Sequence, residues 1–178
     1  MARKEWRRRP SPPPGFARTL GLLPFQAHLL YNRGITSEAE LGAFLTTDSS
    51  LSNDPFLLPD MGSAVSRLQR ALTAGEVVAI FGDFDADGVT SSALLVEALT
   101  GLGARPIAYI PHRVTEGHGL NVPALRSLHR QGVGIVVTAD CGVSDAAEVA
   151  AAADLGIDVV ITDHHSPPAE SRILFHQR

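Results

Sequence analysis

The chain has 178 residues, 44% of them hydrophobic, with 15 Lys+Arg against 19 Asp+Glu and a formal net charge of −4. That length holds one compact domain, or one domain with an appendage, and excludes a large multidomain machine. The single cysteine, Cys141, excludes a disulfide framework and an all-cysteine zinc site; with no signal-peptide pattern and no run of ~20 apolar residues, a cytoplasmic chain without membrane contact is expected.

Taken from the N-terminus, residues 1–18 carry six basic groups against the single Glu5, a local charge of +5, while the remainder carries −9. With its Ser-Pro-Pro-Pro-Gly break this stretch reads as a disordered, solvated tail; a phosphate-gripping arm is the alternative. Residues 19–74 read as a small helical N-terminal segment. Thr36 or Ser37 is placed to cap a helix over Glu38–Leu45, with Glu40 closing a capping box. After the loop SSLSNDPFLLPDM, Met61, Val65, Leu68 and Leu72 recur at helical spacing, and Gly75 ends that helix.

From residue 76 the pattern changes. Short β-branched runs at 77–81, 106–110, 135–138 and 159–162 alternate with helix-length segments at about 90–102, 122–131 and 144–155. Such alternation predicts an α/β fold, a parallel sheet flanked by helices and buried on both faces. The domain so defined spans residues 75–178.

The acidic and imidazole residues fall just after the predicted strands. Asp83, Asp85 and Asp87 follow the first, Asp140 the third, and Asp163, His164 and His165 the fourth. A parallel sheet gathers them at its carboxyl edge, where open α/β sheets bind ligands. Five carboxylates and two imidazoles on one rim repel one another unless cations lie among them. The donor types suit Mn²⁺ or Mg²⁺, and two such ions about 3.5 to 4 Å apart could activate a water against a phosphoryl group. GDFDADG also fits the opening of an EF-hand loop, but the twelfth position, which needs Glu, is Leu94, and a β-type run precedes it.

The segment PHRVTEGHGLN, residues 111–121, falls on the same rim. Arg113 and His118 are candidate phosphate contacts, with Gly117 and Gly119 allowing close backbone approach; an ordinary ordered loop is the alternative. His28, His129 and His176 stand alone and read as packing or surface residues, and Cys141 as a buried filler. No Walker loop, dinucleotide fingerprint or Gly-x-Ser-x-Gly elbow is present, so nucleoside triphosphates are not expected ligands.

GDFDADGVTSSALL, TADCGVS and ITDHHSPP, in this order on these strand ends, resemble the first three motifs of the DHH phosphoesterase superfamily. RGITSEAELGAFL, DPFLLPDM, PHRVTEGHGLN and AADLGIDVVITDHH narrow the resemblance to its RecJ branch over about residues 20–168. That resemblance implies hydrolysis of single-stranded DNA from the 5′ end with Mn²⁺ or Mg²⁺, in DNA repair and recombination, with a helicase or single-strand-binding protein as partners. It makes Asp83, Asp85, Asp87, Asp140, Asp163 and His164 the metal-binding group, with Asp140 bridging and Asp163 orienting His164. Asp140, His164 and His165 form the implied catalytic set, with His165 facing the scissile phosphate beside the loop candidates Arg113 and His118. A fourth motif and a second lobe follow in that branch, whereas here AESRILFHQR follows Pro168, so the resemblance implies an incomplete and poorly active chain. The alternatives are another DHH-type hydrolase, acting on oligonucleotides, cyclic dinucleotides or pyrophosphate, and a non-catalytic nucleic-acid-binding remnant.

Overall fold

The computed structural model describes residues 7–46 and 53–167. The start of the basic tail (1–6), part of the loop before the second unit (47–52) and the stretch 168–178 lie outside the described residues. The chain divides into two units, residues 1–54 and 55–178.

The first unit is helical: α1 (Phe16–Thr19), α2 (Pro24–Tyr31) and α3 (Glu38–Leu45). In the stretch expected to be a disordered tail, α1 already begins at Phe16, whose ring meets Tyr31 edge-on at 5.5 Å. Ser37 caps α3 as its sequence predicts. Its side chain accepts from the Glu40 N–H at 3.2 Å, while the Glu40 carboxylate accepts from the Ser37 N–H at 3.0 Å.

The second unit opens with a 3-10 turn at Pro55–Leu57 and α4 (Met61–Ala74), which Gly75 ends in the left-handed conformation. Strands β1 (Val77–Gly82), β2 (Ile107–Tyr109), β3 (Val133–Ala139) and β4 (Asp158–Val160) alternate with α5 (Ala86–Gly101), α6 (Val122–Arg130) and α7 (Ala146–Asp154). All pairings are parallel and the order is β2-β1-β3-β4. Val78 and Ile80 face one way with Ile135 and Val137, against Leu99 of α5 and Ala71 of α4. Ala79, Phe81 and Val136 face the other, against Leu125 and Leu128 of α6 and Ala152 of α7. A strand buried on both faces needs apolar side chains at every position, which is why these runs show no polar alternation.

Two boundaries move, each for a stated reason. Helix α4, grouped by its sequence with the N-terminal segment, belongs to the sheet unit, because Ala64, Leu68, Ala71 and Leu72 close over one sheet face. Helix α5 starts four residues before the expected Thr90, since Asp85 caps it by accepting from the Gly88 N–H at 3.1 Å.

Candidate metal and phosphate site

The strand order reverses direction between β1 and β3, and the crevice at that switch point carries the acidic rim. Gly82 pairs with Ala139, so the residues that follow, Asp83 and Asp140, leave the sheet side by side, and the Asp83 N–H still donates to Ala139 O at 3.0 Å. Two glycines let α5 start so close to the strand. A Cβ on Gly88 would collide with the Asp83 backbone, and one on Gly82 with Ser92 Oγ.

Asp140 is the centre of the site. It is only 7% exposed and sits at φ 64°, a left-handed conformation that costs a non-glycine residue energy and is concentrated at functional sites. Its N–H donates to Thr162 O at 3.0 Å, tying the ends of β3 and β4 together. His164 Nε2 lies 3.0 Å from Asp140 Oδ1, within ion-pair distance but off the line that a hydrogen bond requires. Among the described residues that buried oxygen therefore has no hydrogen-bond donor. Burial, and then the neighbouring Asp85, hold the Asp140 carboxyl above its ordinary pKa.

Two donor sets meet there. The ligating atoms of Asp83, Asp85 and Asp140 lie within 4.8 Å of one another, as do those of Asp140, His164 and His165. Asp140 is common to both. Asp85 is held below the ordinary carboxylate range, chiefly by the Gly88 N–H it accepts. Asp87 belongs to neither set but lines a cleft of about 240 Å³ together with Ser91, Asp140, Thr162, Asp163 and His164.

Asp163 also stands outside both sets, and it holds His165 where the family resemblance implied His164. Its Oδ1 accepts from the His165 N–H at 3.0 Å and lies 2.7 Å from His165 Nδ1, while Oδ2 accepts from the Val143 N–H at 3.0 Å. These bonds outweigh burial and keep Asp163 below its ordinary pKa, and its carboxylate raises that of His165. With both oxygens engaged by protein donors, Asp163 is a support for the imidazole.

The 111–121 loop meets the same rim. His118 Nδ1 lies 2.9 Å from Asp83 Oδ1, and its ring centroid is 6.2 Å from that of His165. The Arg113 guanidinium lies over the Phe84 ring, 4.9 Å from its centroid. Three anchors that the motif reading missed hold this loop. Glu116 bonds the Tyr109 hydroxyl and accepts from the His112 N–H at 2.8 Å. Asn121 caps α6, accepting from the Ala124 N–H at 2.8 Å. Asp145 accepts from the Leu120 N–H at 2.7 Å, which is why it makes no side-chain cap for α7 and why that helix starts at Ala146, after the expected Ser144. Cys141 is fully buried, its thiol pushed up to about 12, chiefly by burial.

The model of the DHH family, N-terminal domain, matches residues 77–177. The chain belongs to this family. The single-stranded-DNA-specific exonuclease RecJ of Bacillus subtilis (strain 168) is 39% identical over 151 residues, covering 85% of this chain and 19% of that protein. The exonuclease of the same name from Escherichia coli (strain K12) is 37% identical over 147 residues, covering 82% and 25%. Among solved structures, an exonuclease RecJ bound to manganese is 37% identical with a TM-score of 0.59, covering 65% of this chain and 30% of that one. RecJ in complex with Mn²⁺ from Thermus thermophilus is 28% identical with a TM-score of 0.63, covering 93% and 23%. This DHH chain thus spans about a fifth to a quarter of the curated relatives' length.

Proposed function

We propose that the rim binds two divalent cations, Mn²⁺ or Mg²⁺, and serves the hydrolysis of phosphodiester bonds in single-stranded DNA from the 5′ end. The observation that carries the reading is the buried Asp140 carboxylate, common to both donor sets, whose Oδ1 has no hydrogen-bond donor among the described residues. A buried carboxylate oxygen that accepts no hydrogen bond is costly unless a cation completes it. Asp83, Asp85 and Asp140 would hold one ion, Asp140 with His164 the other, and Asp87 faces the same cleft. The relatives named as RecJ support the substrate class and the metals.

Bound there, the cations would supply charge neutralisation and lower the pKa of a water. The protein's own groups do the rest. Asp163 takes up His165 Nδ1, which leaves Nε2 as the nitrogen that can meet the scissile phosphate. Arg113 and His118 approach from the loop side, where a guanidinium fits phosphate oxygens in a bidentate way. A place in DNA repair and recombination, in the cytoplasm and beside a helicase or single-strand-binding protein, belongs to the same proposal.

The test is release of nucleotides from a 5′-phosphorylated single strand by the chain in Mn²⁺, with Asp140→Ala beside it. Slow turnover, as a chain that spans only part of its relatives should give, and its loss in the variant are the expected result. Turnover that survives it removes Asp140 from the chemistry and overturns the two-ion reading.

A further inference from the structure

Phe84 stands between two acidic residues of the first motif, half-buried on a rim rich in polar and charged groups. An aromatic ring gains little in such a place from burial alone. What it touches comes from the 111–121 loop. The Arg113 guanidinium carbon is 4.9 Å from the ring centroid, and the His118 ring stands against it at 6.0 Å with an interplanar angle of 75°. Both residues belong to the loop that Glu116 and Asp145 anchor.

Arg113 reaches a rim crowded with acidic groups yet, among the described residues, forms no salt bridge with any of them. A guanidinium is a strong bidentate partner for phosphate, and a long exposed side chain loses rotamer freedom whenever it is fixed. A ring face restricts that freedom in advance and leaves the fork of N–H donors unused. On the reading of the rim as a phosphodiester site, we propose that Phe84 is a positioning residue. Its ring holds Arg113 beside the metal-binding carboxylates, charged but unpaired, in the place where a substrate phosphate would be gripped.

The inference predicts coupling, which a packing role does not. Binding of a 5′-phosphorylated, phosphorothioate-linked oligothymidylate is measured by fluorescence anisotropy in Mg²⁺ for the full chain, Phe84→Leu, Arg113→Ala and the double variant. Phe84→Leu should weaken binding about twofold to fivefold, the scale of an exposed cation–π contact. Arg113→Ala should weaken it about tenfold, and the double variant should match Arg113→Ala alone. Phe84→Tyr, which keeps the ring face, should bind as the parent does. If Phe84→Leu fails to fold, Phe84→Met keeps the bulk without the π face and carries the same expectation.

An equal loss from Phe84→Leu in both backgrounds, or none in either, overturns the positioning role while leaving the phosphodiester reading intact. If Arg113→Ala binds like the parent, the positioning role falls with the phosphate role of Arg113. If the parent chain binds no single strand at all, both this inference and the reading beneath it are overturned.

Discussion

The two rims of the sheet solve the problem of buried charge in opposite ways. At the amino edge, Arg67 of α4 is 7% exposed, yet all its charge is spent. It donates to Glu76 at 2.7 Å, just before β1, and to Asp158 at 2.5 Å, the first residue of β4. One cation between two carboxylates pins a helix to the starts of two strands. At the carboxyl edge, Asp140 is equally buried, but Asp85 stands against it and its Oδ1, 3.0 Å from His164, accepts no hydrogen bond among the described residues. Buried ion pairs that are complete belong to the scaffold; a buried charge left incomplete marks where something else is meant to bind.

The largest break in this comparison should come from Arg67→Ala. Removing the guanidinium strands Glu76 and Asp158 against a covered surface. Both are partly exposed, so solvent recovers part of the loss; a drop of about 2 to 4 kcal/mol in unfolding free energy is expected. Urea denaturation checks it. A loss below about 0.5 kcal/mol would put this triad with ordinary surface ion pairs.

At the opposite rim the expected sign reverses. Mn²⁺ at a hundredfold excess over its dissociation constant should stabilise the chain by about 2.7 kcal/mol, seen as a rise in melting temperature, because only the folded state gathers the donors. Asp140→Asn should abolish that rise. Without metal the same variant should melt within about 1 kcal/mol of the parent, since relief from burial and from Asp85 offsets the lost attraction of His164. Asn also accepts the left-handed backbone that position 140 requires. A loss above about 2 kcal/mol in metal-free Asp140→Asn would mean that His164, 3.0 Å away, already completes the carboxylate within the protein.

The carboxyl rim was largely legible in the residue order, and the amino rim was not. Strand and helix alternation sets the sheet, and acids placed directly after apolar strands must collect at one edge. Asp83, Asp85, Asp140 and His164 follow from that alone. Arg67 is invisible in this way, since its partners are 9 and 91 positions distant and only the fold unites them. The same limit hid Asp145, which turns from its own helix to the Leu120 N–H, and exchanged the partner of Asp163 from His164 to His165. The early start of α5 was only half readable: Asp85 is a favoured N-cap residue, but Asp83 and Asp87 are equally so, and only the fold shows which of them accepts the Gly88 N–H.

The smallest effect should come from the loop that joins the two phosphate candidates to the rim. Tyr109 is held at about 12, first by burial and then by Glu116, whose own carboxyl is pulled below its ordinary value chiefly by the Tyr109 hydroxyl. Tyr109→Phe removes that bond while keeping the ring that stacks on Phe81 at 5.1 Å. A loss of about 0.5 to 1 kcal/mol is expected at neutral pH, since one hydrogen bond is exchanged for water. The pH dependence fixes its origin. A carboxyl with a lowered folded pKa contributes stability above its unfolded value of 4.5, and loses it as pH falls through the folded value. The gap between parent and variant should therefore close in acid, and the Glu116 carboxyl carbon should titrate closer to 4.5 in the variant. On the alkaline side the gap should close again between 10 and about 12, where the unfolded chain releases the tyrosine proton first. A gap that stays constant from acid to alkali would trace the loss to packing and release Glu116 from its role as the anchor of the loop.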